Sequence, residues 1–170
     1  WRDVTREATS RSDVKAILID AAGPAFCAGG DVIDMATTMG SGAEITALAE
    51  VINTGIRALA ESSVPVVAAA HGTTAGGGLG ILLSSDYAVV GALSRLGSLY
   101  ANIGLTPDLS VSAQLSRAVG QRRALQLVLQ DRLLTADEAI EWGLVAEAVA
   151  GADAADEAGL VRSRAEEIAR

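Results

Sequence analysis

Two glycine-rich turns are the residues best suited to chemistry. The first is Ala28-Gly29-Gly30-Asp31 and the second is Gly76-Gly77-Gly78. Each follows an apolar, strand-like run and opens a helical one, which leaves backbone N–H groups without intrahelical acceptors. Glycine also removes the Cβ that would keep an incoming group away. Two such N–H groups aimed at one oxygen stabilise an oxyanion, by ~3 kcal/mol per donor in the transition state. A phosphate cradle is less well supported, because there is no GxxxxGK[ST] and no Lys follows either turn. GxGxxG is absent from the first turn, which argues against dinucleotide binding. Tight helix–strand packing would explain one glycine turn; two of them, each after a buried strand, favour a site.

Other reactive side chains are few. Asp108 follows Pro107 in Gly-Leu-Thr-Pro-Asp-Leu-Ser, which on local sequence alone reads as a turn whose aspartate caps the next helix. His71 ends an apolar run and reads as a hydrogen-bonded core histidine; an acid–base role is the competing reading. Cys27 has no nearby base to make it a thiolate and reads as a packing residue. Asp86 reads as structural. Arg117, Arg122 and Arg123 form the one local basic cluster, read as a solvated helix surface, with anionic phosphates or a neighbouring subunit as alternatives. No set of His, Cys, Asp and Glu has metal-ligand spacing, so no metal is expected.

The elements that must position these groups alternate between strand and helix patterns, which predicts an α/β class with buried, mostly parallel strands. Val14–Asp20 reads as a strand, Asp31–Met39 as a helix, and Glu44–Glu61 as an amphipathic helix with Ile45, Leu48, Ile52, Ile56 and Leu59 on one face. Val64–Gly72 reads as a buried strand ending in a turn. Asp86–Val90 and Ser94–Gly97 read as strands. Helices follow at Val111–Val119, Arg122–Gln130 and Thr135–Trp142, the last with a Thr135/Glu138 capping box and a Gly143 stop. Leu144–Val149 reads as a strand and Gly151–Gly159 as an exposed connection. Both termini are helical in pattern, and one domain is expected over 1–170.

Composition sets outer bounds. The 170 residues are 50% hydrophobic and carry a net charge of −8, with 3% aromatic residues. An acidic, aromatic-poor chain offers neither the basic face needed by nucleic acid or anionic membranes nor stacking platforms for bases. The single cysteine excludes an intrachain disulfide and fits a reducing compartment, here the cytoplasm. No apolar run reaches the length of a membrane span.

The segments FCAGGDV, PVVAAAHGTTAGGGLGILLSSDYAV and IGLTPDLSVSAQLSRAVGQRRALQLVLQDRLLTADEAIEWGLVAEAV resemble the crotonase superfamily of enoyl-CoA hydratases and isomerases, with consistent spacing from about Val14 to Val149. The resemblance implies a spiral of ββα units around two sheets, commonly assembled as homotrimers or dimers of trimers. It also implies that the chain lacks the first strands and the C-terminal helices of that fold. The substrate would be a CoA thioester, with no separate cofactor. The thioester oxygen would be held by the N–H groups of Gly30 and Gly77, with Ala28, Asp31 and Gly76 lining the CoA path.

Two departures from the family pattern bear on the reaction. The hydratases of the family carry glutamates at the positions of Gly80 and Tyr100, and neither residue here replaces a carboxylate that activates water. Asp108 stands where several isomerase branches place a catalytic aspartate. The resemblance therefore implies a double-bond isomerase in which Asp108 carries the proton and Leu105 and Leu109 bury it, raising its pKa. Tyr100 would hydrogen-bond to substrate or to Asp108, or would fill the volume left by a glutamate and water. The alternatives are a non-catalytic CoA-thioester-binding protein, a weak hydratase, and a relative of the 4-chlorobenzoyl-CoA dehalogenases. That last branch shares the AGGGLGI pattern and the spacing from Tyr100 to Asp108. It has a tryptophan at the position of Tyr100 and a base histidine at the position of Asn53.

Overall fold

A computed structural model describes residues 1–38, 41–130 and 132–170. Strands β1 (Ile17–Ile19), β2 (Val66–Ala70), β4 (Tyr87–Gly91) and β7 (Glu147–Val149) form a parallel sheet in the order β1-β2-β4-β7. Strands β3 (Thr73–Ala75), β5 (Arg95–Gly97) and β6 (Leu134–Thr135) form a second sheet, β3 parallel and β6 antiparallel to β5. The chain visits the two sheets in turn. β2 and β3 lead into helix α4 (Gly77–Leu83), and β4 and β5 lead, through a 3₁₀ turn at Tyr100–Ile103, into α5 (Val111–Val119). This is the ββα spiral that the family resemblance implies.

The crossing from β2 to β3 depends on glycine. Gly72 has φ +60°, and a Cβ there would overlap the carbonyl of Pro24, so a side chain would be both strained and blocked. The turn separates two strands where the sequence pattern shows one run followed by a turn.

The apolar run of β2 is explained by burial on both faces. Val66, Ala68 and Ala70 join Leu79, Leu82, Leu96 and Leu115 in the main core. Val67 and Ala69 face the other way, onto Val89 and onto Val161 and Ala165 of helix α8 (Ala154–Ile168). Asp86 stays structural, as expected: its Oδ2 accepts the Val66 N–H at 2.8 Å.

Several boundaries differ from the sequence expectation. The Val14–Asp20 strand narrows to Ile17–Ile19, and Leu144–Val149 narrows to Glu147–Val149. Helix α2 covers Val32–Thr37, with Asp31 as its N-cap; the expected end at Met39 lies outside the described residues. Helix α3 runs Gly42–Ala60 and α6 runs Gln121–Leu129. Helix α7 (Ala136–Trp142) has the expected capping box and stops at Gly143 with φ 76°. The short strand β6 ahead of it was not legible in the sequence.

The stretch Gly151–Gly159 is not an exposed connection. Asp153 caps α8, accepting from the N–H groups of Ala155 and Asp156, and Glu157 is 1% exposed. Its Oε2 accepts the Leu93 N–H at 2.9 Å, and its side chain fills the space beside Gly91. Small, acidic composition suggested solvent; a helix cap and a buried acceptor are the physical reason for those residues. At the other end, α1 (Arg2–Ser10) packs on α3, where the Trp1 indole N–H donates to the Ile52 carbonyl at 3.1 Å.

Candidate active site

The two glycine turns lie against each other. The Cys27 N–H donates to the Thr73 carbonyl at 3.2 Å, and the Ala75 N–H donates to the Cys27 carbonyl at 2.9 Å, which ties the first turn to the edge of β3. Gly29 has φ +106° and its Cα side faces the backbone of Ala75, Gly76 and Gly77; a Cβ on Gly76 would stand 3.5 Å from the Gly29 Cα. A Cβ on Gly78 would overlap the Cys27 carbonyl. The glycines therefore permit close approach of two backbones, and that packing is also what brings Gly30 and Gly77 to one cavity.

The N–H groups in these turns differ in availability. Gly76 donates to the Gly97 carbonyl at 3.2 Å and the Ser98 carbonyl at 3.1 Å, so its role is to shape the turn. No loop or turn carbonyl among the described residues accepts from Gly30 or Gly77. Gly77 begins α4, where the helix dipole places partial positive charge. The Asp31 carboxylate caps α2, accepting the Asp34 N–H at 2.9 Å.

Asp108 does not cap α5. The N-cap of that helix is Ser110, which makes no side-chain cap, and the contribution of Asp108 there is its backbone carbonyl, which accepts the Val111 N–H at 2.8 Å. Its carboxylate turns instead to Tyr100, whose hydroxyl donates to Oδ1 at 2.8 Å. Tyr100 is 7% exposed, and burial, followed by this bond, pushes its phenol well above the ordinary tyrosine range. A phenol held neutral is a donor to the carboxylate, not a base. Of the expectations for Tyr100, the bond to Asp108 is present, and the ring also fills space in the main core.

The expected burial of Asp108 among leucines is not what the fold provides. Leu109 is 8% exposed, but Leu105 and Asp108 are exposed at the rim of the cavity. The backbone explains the difference. Leu109 has φ 46° and Ser110 has φ 69°, two successive left-handed residues that cost roughly 1–2 kcal/mol each. That kink drives Leu109 inward onto α4 and leaves Asp108 at the opening. On α4, a Cβ at Gly80 would overlap the Leu109 carbonyl. The position has no room for any side chain, so the absence of a glutamate there is built into the loop.

A cavity of about 410 Å³ joins these groups, and Ala28, Gly30, Asp31, Gly76, Gly77, Tyr100 and Asp108 all line it. Its remaining wall is mostly aliphatic, from Met35, Ile45, Leu48, Ile52, Ile103 and Leu105. The α3 residues among them belong to the apolar stripe expected of that amphipathic helix. The stripe in fact divides: Ile56 and Leu59 are buried in the core, whereas Ile45, Leu48 and Ile52 face the cavity.

The remaining sequence candidates lie elsewhere. His71 is 6% exposed, its Nε2 donates to the Gly23 carbonyl at 2.8 Å, and it borders a separate cleft with Asp20 and Arg162. The expected core role fits it. Cys27 lines the cavity at intermediate exposure, its backbone engaged with β3. Arg123 pairs with Glu141 at 3.3 Å and lies 5.3 Å from the Trp142 ring centroid, while Arg117 and Arg122 stay on the helix surface. Among the described residues, no group of three His, Cys, Asp or Glu side chains is placed to hold a metal ion.

Comparison with known proteins completes the picture. The sequence model of the family described as enoyl-CoA hydratase/isomerase matches residues 4–170. The chain is 37% identical over 165 residues to 4-chlorobenzoyl coenzyme A dehalogenase-1 of an Arthrobacter species, covering 95% of this chain and 56% of that protein. It is 32% identical over 134 residues to the trans-2-decenoyl-[acyl-carrier-protein] isomerase of Streptococcus mutans, covering 78% of this chain and 51% of the relative. The crystal structure of an enoyl-CoA hydratase from Bacillus anthracis superposes with a TM-score of 0.88 at 25% identity, over 99% of this chain and 62% of the other. The chain thus spans about half the length of the curated relatives it matches.

Proposed function

The chain belongs to the enoyl-CoA hydratase/isomerase family, and from that premise we propose that it acts on an acyl thioester of coenzyme A as a double-bond isomerase. One observation carries the reading. The Asp108 carboxylate lines the same aliphatic cavity as the Gly30 and Gly77 backbones, and Tyr100 donates to one of its oxygens; of the two other carboxylates in the wall, Asp31 is engaged as the cap of α2 and Asp34 stands in that helix's first turn.

In this mechanism the thioester carbonyl oxygen lies between the Gly30 and Gly77 N–H groups. The Asp108 carboxylate takes a proton from the carbon at one end of the allylic system. The C–H electron pair moves into the thioester as an enolate, whose negative oxygen the two N–H groups stabilise. Asp108 then returns the proton to the carbon at the other end, so the double bond shifts and nothing is consumed. One carboxylate is enough because it serves as base and then as acid. Tyr100 holds Oδ1, which leaves Oδ2 for the proton. Hydration needs a group that activates water. Gly80 has no side chain and Tyr100 is a neutral donor, so that chemistry is disfavoured. The test is deuterium incorporation from solvent into an enoyl-CoA, with crotonyl-CoA giving no 3-hydroxyacyl product.

The identity to the Arthrobacter dehalogenase favours a second reading, in which Asp108 attacks an aryl ring carbon and displaces halide. Release of the resulting aryl ester requires a base for water. The one histidine of the chain, His71, borders a different cleft. Isomerisation is therefore preferred, and chloride release from 4-chlorobenzoyl-CoA would reverse that order.

A further inference from the structure

Leu109 joins three parts of the site. It is the covalent neighbour of Asp108. Its Cδ1 lies 2.6 Å from where a Cβ on Gly77 would stand, and its carbonyl occupies the space a Cβ on Gly80 would need. Gly77 and Gly80 are one helical turn apart, so they share a face of α4. That bare face is the seat of Leu109. The left-handed backbone at Leu109 and Ser110 persists only where the surroundings hold it. Leu109 is the buried residue of a loop whose neighbours Leu105 and Asp108 are exposed.

We propose that Leu109 is a positioning residue: seated on the Gly77–Gly80 face of α4, it fixes the Asp108 carboxylate relative to the Gly77 N–H and so governs proton transfer more than thioester binding. The inference rests on the reading of Asp108 as the proton carrier. Truncating the side chain releases the loop from Gly77, and adding a methyl at Gly80 pushes its carbonyl away. Both changes act on the same turn from opposite sides.

The test compares Leu109→Ala, Leu109→Met, Gly80→Ala and Asp108→Asn by steady-state deuterium exchange into an enoyl-CoA and by the NMR signal of the hydrogen-bonded Tyr100 hydroxyl proton. Leu109→Ala lowers kcat by about tenfold to a hundredfold, with KM changed by no more than about threefold. The hydroxyl signal is lost in Leu109→Ala. Leu109→Met, which can refill the seat, recovers most of the rate and the signal. Gly80→Ala reproduces the Leu109→Ala pattern, and the double variant is no worse than the poorer single one. Should Gly80→Ala fail to fold, the Ala and Met variants at 109 still decide the matter. Leu109→Ala with wild-type kcat and an intact hydroxyl signal, alongside an inactive Asp108→Asn, overturns the inference alone. Unchanged exchange in Asp108→Asn removes the proton-carrier reading and this inference with it.

Discussion

The Tyr100 hydroxyl donates to Asp108 Oδ1 at 2.8 Å, and this bond ties the 3₁₀ turn after β5 to the kinked loop before α5. Removing it in Tyr100→Phe leaves the ring in place and frees the carboxylate. The exposed side of Asp108 can regain water, so the loss is about 1 kcal/mol, a rate decrease of about fivefold. Steady-state exchange kinetics should show that loss in kcat, with KM little changed.

The same bond has a pH signature. The folded pKa of Tyr100 lies above its ordinary value, with burial as the first cause and the hydrogen bond to Asp108 as the second. A raised pKa means the stabilisation from the neutral phenol is fully present below about pH 10 and is lost as pH rises through the folded value. Tyr100 should contribute no phenolate absorbance between about pH 9 and 11. Tyr100→Phe should therefore titrate like the parent in that window.

Gly80→Glu restores a carboxylate in sequence but has no room for one. Its Cβ would overlap the Leu109 carbonyl, and forced overpacking of this kind costs about 1–3 kcal/mol. Thermal unfolding should show a lowered Tm, and crotonyl-CoA should yield no 3-hydroxyacyl product. A stable variant with hydratase activity would contradict the loop geometry.

Glu157 offers a stability test far from the cavity. It is 1% exposed and accepts the Leu93 N–H at 2.9 Å. Glu157→Ala removes the acceptor of the Leu93 N–H and opens a void beside Gly91, so urea denaturation should show a loss of about 2–3 kcal/mol. Exchange kinetics at saturating substrate should be unaffected.

Much of the fold is legible in the sequence. Strand runs such as Val66–Ala70, the capping box of α7 and both glycine turns follow from local rules of periodicity and capping. The seven residues assigned to the site do line one cavity. What stayed hidden depends on tertiary packing. The division of the α3 stripe between core and cavity cannot be seen from its spacing, since both halves obey the same periodicity. The burial of Glu157 depends on Leu93, sixty-four positions away. The outward position of Asp108 follows from left-handed residues at Leu109 and Ser110, which no propensity favours.

The central claim is that Asp108 carries the proton. Solvent deuterium incorporation into an enoyl-CoA, compared between the parent and Asp108→Asn, tests it most directly. The amide keeps the size and the contact to Tyr100 but cannot accept the proton as a carboxylate does, so a fall of about a hundredfold or more is predicted. Exchange at the parental rate in Asp108→Asn would contradict the account.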